Sequence, residues 1–279
     1  PGVEFTWLVF GSEGRKEQTL YTDQDNGILF EASSQEEANA IRQKLLPLAR
    51  EINLALDDCG SMLCKGNIMA GNAELCLSRQ EWSRRFSKIV REASPENLLY
   101  STIYFDLRAI WGPIEGCKAL RRELLSMIRS NNMFQRMMAQ SAIQNKPPLG
   151  GLFRSFALDK KGAQKDTLDL KIKGLAPFVD GVRVLALAHE VESSNTSERI
   201  RQLVSKGVIE RLDGDAYVEA YHFIQLIRMQ QHQQQARNAL AYNNRIYPDE
   251  LNHLDRRILR ESFRQAQRLQ ASLTFRYQL

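Results

Sequence analysis

The chain has 279 residues, 43% hydrophobic and 25% charged, with a formal net charge of +5; that length accommodates two cores at about 100–200 residues each, and no apolar run approaches the roughly 20 residues of a membrane-spanning helix. Lys and Arg are scattered among acids instead of gathered into a stripe with aromatics, which argues against a nucleic-acid partner. Cys59, Cys64, Cys76 and Cys117 form no Cys-x-x-Cys pair and have no His companions at zinc spacing, so reduced cysteines in a cytoplasmic protein are expected.

The chain opens on Pro1 just ahead of a strand and is read as part of a longer protein with regulatory domains upstream. The apolar run Phe5–Phe10 predicts a first strand that feeds a turn at Gly11-Ser12, and Thr22–Phe30 predicts a second. Asp23 and Asp25 stand two apart at the start of that second strand, which puts both carboxylates on one side. Two hard oxygen donors suit Mg²⁺, which is held by one or two carboxylates together with waters and substrate phosphates. Successive N–H groups of a turn such as Gly11-Ser12 bind anions. Joined at this spacing, the two features predict a nucleotide site.

Further along, Ile41, Leu45, Leu48, Ile52 and Leu56 recur at three- and four-residue spacing and predict an amphipathic helix over Gln35–Leu56. A Gly-containing loop over Gly60–Asn72 precedes a helix near Arg79–Ala93. A third strand is expected at Ser101–Ile110, where Ile103, Phe105 and Leu107 alternate with Tyr104, Asp106 and Arg108, so that the acid faces away from the apolar set. Helices at Glu115–Arg129 and Met133–Gln144 then close the first domain, residues 1–145.

Pro147-Pro148-Leu149-Gly150-Gly151 is a strong breaker and marks the boundary to a second domain, residues 146–279. A polar stretch at Asp159–Asp169 reads as a short hairpin or a loop. The remainder is helical by pattern: Leu175–Glu190, Ser197–Lys206, Ala216–Ala241 and Pro248–Leu273, with Thr196 and Asp249 as caps. Lys171, Lys173 and Arg183 are candidates to bind a triphosphate or an acidic acceptor. Arg228 and His232, four apart on one helical face, are weaker candidates, with a structural hydrogen bond the expected role of His232. No Ser-His-Asp or Cys-His arrangement rivals the carboxylates.

The stretch Gly11-Ser12-Glu13-Gly14-Arg15-x-Glu17-Gln18-Thr19-x-x-Thr22-Asp23-Gln24-Asp25-Asn26 resembles the nucleotidyltransferase superfamily of DNA polymerase beta type. Within it, the chain resembles a bacterial nucleotidyltransferase group found beside CBS or cyclic-nucleotide-binding modules and related to the PII uridylyltransferase. Cys64-Lys65-Gly66-Asn67-Ile68-Met69-Ala70 with Glu81-Trp82, Phe105-Asp106-Leu107-Arg108, and Leu170-Lys171-x-Lys173-Gly174-Leu175-x-Pro177-Phe178-Val179-Asp180-Gly181-Val182-Arg183 extend the match over most of the chain.

The resemblance implies an α+β fold: a small mixed-sheet nucleotidyltransferase domain followed by an all-helical substrate-binding domain, with a pocket between them. It implies that Asp106, on a later strand, joins Asp23 and Asp25 as catalytic and metal-binding acids for Mg²⁺, with Mn²⁺ an alternative. Gly11 and Ser12 would hold the phosphates of an NTP, and Arg15 or Lys16 would neutralise the leaving pyrophosphate. Glu13 and Glu17 are expected at the surface. The implied reaction moves a nucleoside monophosphate from an NTP to a hydroxyl, on a regulatory protein or another acceptor. A sensor that binds nucleotide without transferring it is the alternative. A template-free polymerase would need a basic stripe that the sequence lacks.

Overall fold

The computed structural model describes residues 2–151, 156–159 and 162–279. It divides into two compact units, Pro1–Gln18 with Thr22–Phe134, and Thr19–Tyr21 with Gln135–Leu279.

The first unit is built on a four-stranded mixed sheet in the order β3-β2-β1-β4. Strands β1 (Thr6–Val9) and β2 (Asn26–Phe30) are buried throughout, as expected of central strands covered on both faces. They run antiparallel, with Thr6 opposite Leu29 and Val9 opposite Asn26. That register places the residues just before Asn26 beside the turn that leaves β1. The edge strand β3 (Cys76–Ser78) pairs parallel to β2, and β4 (Arg108–Trp111) pairs antiparallel to β1. At three residues, β3 carries too little alternation to be read from sequence.

Helices cover the sheet. α1 (Gly11–Gly14) is a single turn, whereas α2 (Gln35–Asp58) begins at Ser34, whose side chain accepts from Glu37 N–H. α3 (Arg79–Arg91) starts with a reciprocal capping box between Ser78 and Glu81. Trp82 on α3 is fully buried and donates from Nε1 to the Ile28 carbonyl on β2 at 2.9 Å, tying helix to sheet. α5 (Glu115–Arg129) lies where its periodicity predicts, and α6 (Asn132–Ala142) begins at the end of this unit and belongs mostly to the second.

The predicted strand at Ser101–Ile110 is corrected. Pro95–Tyr104 forms helix α4, and extended structure resumes only at Arg108. The start signal is local: the Ser94 side chain accepts from Asn97 N–H, and Pro95 occupies the first helical turn, where its missing N–H costs nothing. Packing completes the choice. Tyr104 sets its ring against Phe10 and Trp82 at 5.4 and 6.0 Å, and the next residue, Phe105, meets Phe86 at 5.5 Å. Two adjacent side chains buried in one core suit the end of a helix better than an alternating strand.

Among its described residues, the second unit is mostly helical, with a two-stranded ribbon of β5 (Leu168–Asp169) and β6 (Arg245–Ile246) and a single bridge between Leu149 and Phe156. A π-helical turn at Leu170–Leu175 leads into α7 (Ala176–Ala188), which is buried along most of its length. α8 (Thr196–Ser205), α9 (Arg211–Arg237) and α10 (His253–Tyr277) pack around it. The expected caps are displaced. Asn195 caps α8 and Asn252 caps α10, while Thr196 is buried inside its helix and Asp249 lies in a short 3-10 turn. In each case an Asn carbonyl accepts the N–H three residues on. The predicted hairpin or loop at Asp159–Asp169 holds one 3-10 turn and β5; Lys160 and Lys161 within it lie outside the described residues.

Candidate active site

The chain leaves β1 at Phe10 and turns at Gly11, whose φ of +52° is a left-handed conformation open to glycine. A Cβ at Gly11 would also stand 2.9 Å from the Asp25 carboxylate oxygen Oδ2, so the backbone turn and the carboxylate are in close approach. Phe10 N–H donates to the Asp25 carbonyl at 2.8 Å and fixes that approach. The N–H groups of Gly11, Ser12 and Glu13 open α1, where the first amides of a helix have no intrahelical acceptor. At the other end of this turn the Arg108 guanidinium donates to the carbonyls of Glu13 at 2.8 Å and Gly14 at 3.3 Å. Burial pushes the Glu13 carboxyl up from its ordinary value, with Arg108 opposing.

Asp23 and Asp25 precede β2 and are joined by Cys64, the three offering ligand atoms within 4.8 Å of one another. Burial first, and then the adjacent Asp25 carboxylate, raise the Cys64 thiol pKa. A thiol sulfur is a soft donor and a poor ligand for a hard cation. The donor set that fits Mg²⁺ is therefore the two carboxylates, with water and phosphate oxygens completing the sphere; Mn²⁺ accepts the same oxygens.

The other side of this segment explains its order. Gln24 and Asn26, alternating with the acids, are each 1% exposed and point into the protein. There they meet Asn53 of α2, itself buried. Asn53 Nδ2 donates to Gln24 Oε1 at 2.8 Å and to Asn26 Oδ1 at 3.0 Å, while Gln24 Nε2 donates back to the Asn53 and Ser61 carbonyls, both at 2.8 Å. Ala70 N–H reaches Asn26 Oδ1 at 2.7 Å, and Gly71 N–H reaches Asn53 Oδ1 at 2.9 Å. One amide network thus ties the acidic segment, α2 and the loop bearing Cys64. Sequence reading passed over all three amides. The available signal is Asn53 itself, a polar residue continuing the core spacing of Leu45 and Ala49.

Asp106 is placed differently from its expected strand. It lies in the turn between α4 and β4, fully buried, with Arg15 Nη1 donating to its Oδ2 at 2.7 Å. Arg15 Nε binds Glu17 Oε2 at 2.7 Å, so one guanidinium bridges two acids. Burial works against the charge on Arg15, yet Asp106 and Glu17 outweigh it and raise its pKa. Glu17, expected at the surface, has a side chain only 5% exposed because it serves this pair. Gly14 seats the arrangement: a Cβ there would fall 1.8 Å from the Asp106 carbonyl oxygen. Among the described residues, the group of metal-competent side chains includes Asp23 and Asp25 but not Asp106. Lys16 is exposed, with a left-handed φ of +59°.

In the helical unit, Lys171 is exposed on the π-helical turn and Lys173 binds Asp159 at 2.9 Å. Arg183 is buried in α7 and pairs with Asp180 at 2.6 Å. Arg228 Nε donates to Asn244 Oδ1 at 2.6 Å. His232 is fully buried, and neither ring nitrogen finds a hydrogen bond of good geometry. Its imidazolium form is disfavoured by burial and by Arg228. Its ring meets Tyr242 at 5.8 Å and Tyr21 at 6.3 Å. His232 thus sits among aromatic rings with the Asn244 side chain and the Asn243 backbone beside it.

No helix among the described residues is long and apolar enough to cross a membrane. A search among curated proteins returns no match. Two family profiles do match: residues 1–96 fit the family described as putative nucleotidyltransferase DUF294, and residues 132–277 fit the putative nucleotidyltransferase substrate binding domain. The first match covers Gly11, Ser12, Asp23, Asp25 and Cys64, and the second covers Lys171 and Arg183. Because the second alone spans more than half of the chain and the first takes in the acidic turn, the protein belongs to the putative nucleotidyltransferase family DUF294, with its substrate-binding domain attached.

Proposed function

We propose that the protein is a Mg²⁺-dependent nucleotidyltransferase that moves a nucleoside monophosphate from an NTP to a hydroxyl acceptor, with a regulatory protein as the acceptor class. The observation that carries this reading is the close approach of the left-handed Gly11 turn to Asp25, with Asp23 in the same group. The amides of Gly11, Ser12 and Glu13 and the Ser12 hydroxyl hold the terminal phosphates, and Asp23 and Asp25 hold the metal. When bound, the metal supplies charge neutralisation to the attacking and leaving oxygens of an in-line displacement at the α-phosphorus. The acceptor oxygen forms the new bond to that phosphorus as the bond to the β-phosphate oxygen breaks. Pyrophosphate leaves, and the hydroxyl proton passes to solvent or to the paired carboxylates.

Asp106 acts in this scheme through Arg15: the guanidinium, held by Asp106 and Glu17, fixes the backbone that follows the Gly11–Gly14 turn. Lys16, exposed just past the Gly11–Gly14 turn, can meet the phosphates; Lys171 is an exposed cation of the helical unit, and Arg183 shapes α7 from within. A cytoplasmic setting, where NTP and Mg²⁺ are both present, goes with this reading.

A second reading is favoured by the binding of Asp106 to Arg15: a sensor that holds Mg²⁺–NTP on two carboxylates without transferring it. Incubating the protein with each of the four α-labelled NTPs, Mg²⁺ or Mn²⁺ and a cell extract separates the two. Transfer predicts label on an acceptor protein and pyrophosphate release, both abolished in the Asp23→Asn/Asp25→Asn double variant. Unchanged turnover in that variant overturns the assignment, and NTP binding without any labelled acceptor favours the sensor.

A further inference from the structure

The reaction described above uses Asp23 and Asp25 and leaves out their neighbour Cys64. The placement of that thiol is specific. Residues 62–68 run alongside the acidic segment: Asp23 forms a parallel bridge with Met62, Gln24 N–H donates to the Met62 carbonyl at 2.8 Å, and Asn26 N–H donates to the Ile68 carbonyl at 3.0 Å. Those two bonds flank Asp25 on one segment and Cys64 on the other. The turn after Cys64 is closed by Asn67 N–H on the Cys64 carbonyl at 2.9 Å, and a Cβ at Gly66 would stand 3.7 Å from Cys64 Sγ. Cys64 is half-buried, whereas Cys59 is exposed and Cys76 and Cys117 are buried.

The donor set is chemically mixed. Two carboxylates and a thiol offer ligand atoms all within 4.8 Å of one another. Ligand atoms on one tetrahedral Zn²⁺ stand about 3.5 Å apart, with Zn–S about 2.3 Å and Zn–O about 2.1 Å, so side-chain shifts of about 1 Å bring all three onto one ion. The side facing Gly11 is kept open independently of the thiol: a Cβ there would meet Asp25 Oδ2 at 2.9 Å, and glycine leaves that space to what the carboxylates bind. Hard Mg²⁺ gains little from sulfur, whereas a soft cation gains more from thiolate than from a further oxygen.

We propose that Asp23, Asp25 and Cys64 together bind a thiophilic divalent cation of the Zn²⁺ class, and that this cation excludes Mg²⁺ from the donor site. The exclusion rests on the nucleotidyltransferase reading; the three-ligand site does not. On binding, the metal–sulfur bond replaces the S–H bond and the thiol proton passes to solvent. A tetrahedral ion held by three side chains keeps one position for water or a phosphate oxygen, fewer than octahedral Mg²⁺ retains on two carboxylates. The same acids thus serve a productive hard cation and an inhibitory soft one.

The test uses the full chain freed of metal. Cd²⁺, which shares the ligand preference of Zn²⁺ and reports a thiolate bond by an ultraviolet charge-transfer band, is titrated against wild type, Cys64→Ser, Cys59→Ser and Asp25→Asn. One equivalent is expected to raise the band in wild type and Cys59→Ser and to leave it absent in Cys64→Ser. Calorimetry with Zn²⁺ should show affinity lowered about a hundredfold in Cys64→Ser, because groups that merely support a ligand already contribute about 10–100-fold; the ratio of Zn²⁺ to Mg²⁺ affinity falls with it, and Asp25→Asn weakens both. In the unaltered chain Zn²⁺, and not Mg²⁺, should slow alkylation of Cys64 by iodoacetamide, read by peptide mass spectrometry. Mn²⁺ held on the acids, followed by its paramagnetic resonance, should be released by one equivalent of Zn²⁺. Wild-type Zn²⁺ affinity in Cys64→Ser, or equal alkylation rates with and without Zn²⁺, overturns the three-ligand site. Zn²⁺ binding that leaves Mn²⁺ in place overturns the exclusion. If the chain binds Zn²⁺ through these residues but binds no Mg²⁺–NTP, the nucleotidyltransferase reading fails and the three-ligand site stands.

Discussion

Two acidic regions of the first unit invite comparison, because the sequence marks both with the same residue type and the fold treats them in opposite ways. Asp23 and Asp25 stand beside one another with Cys64, their backbone held by amides on the opposite side. Asp106 is fully buried and committed to Arg15, which is itself shared with Glu17. Like charges kept close together store repulsion that a cation relieves, whereas a carboxylate bound by a guanidinium is already neutralised. The first arrangement suits the cation of the proposed site, and the second leaves Asp106 held by Arg15.

The comparison can be broken by mutation. The largest stability effect is expected for Asp106→Ala, which removes one partner of the buried Arg15 charge and leaves Glu17 in place. Breaking one side of a buried pair costs about 3–5 kcal/mol, and Glu17 keeps the value near the lower end. Urea unfolding measures it, and a loss below about 1 kcal/mol would show that the pair is not structural.

Asn53→Ala should come next, at about 1–3 kcal/mol, because it strips Gln24 and Asn26 of partners in a buried site. The same variant should weaken Mg²⁺–NTP binding, because Asn53 bonds the amides that flank the acids, Gln24 and Asn26, and the Gly71 N–H. Unfolding and calorimetry on one preparation test both halves, and unaltered nucleotide affinity would separate the amide network from the site. The smallest stability change is expected for Asp23→Asn, within about 0.5 kcal/mol of wild type, with Mg²⁺ dependence of NTP binding lost nonetheless. A large destabilisation there would place Asp23 with Asp106 as a structural acid.

Much of the fold was legible because its signals are local. The three- and four-residue spacing of Ile41, Leu45, Leu48, Ile52 and Leu56 reads directly as α2, and Ser34 and Ser78 start α2 and α3 by accepting N–H groups three residues on. The same kind of signal existed for α4 in Ser94-Pro95, but the alternation of Ile103 to Arg108 competes with it. Burial of Tyr104 and Phe105 in a common aromatic core decided that contest, and no window of sequence contains Phe10, Trp82 and Phe86 together with them. In the helical unit, Thr196 and Asp249 are good cap residues in composition, yet Asn195 and Asn252 hold the positions from which a side-chain oxygen reaches the first turn.

The sequence by itself determined the elements whose partners lie within a few residues: the turn at Gly11, the alternation that sends Asp23 and Asp25 one way and Gln24 and Asn26 the other, and most helices. Family membership, too, was readable from the wording of that segment. Only the tertiary structure decided what each charge does. Arg15 and Asp106 are 91 residues apart, and Gln24 and Asn53 are 29 apart. Whether a carboxylate ends open or neutralised depends on which distant donor the packed core brings within about 3 Å, and that distance exists only once the chain has folded.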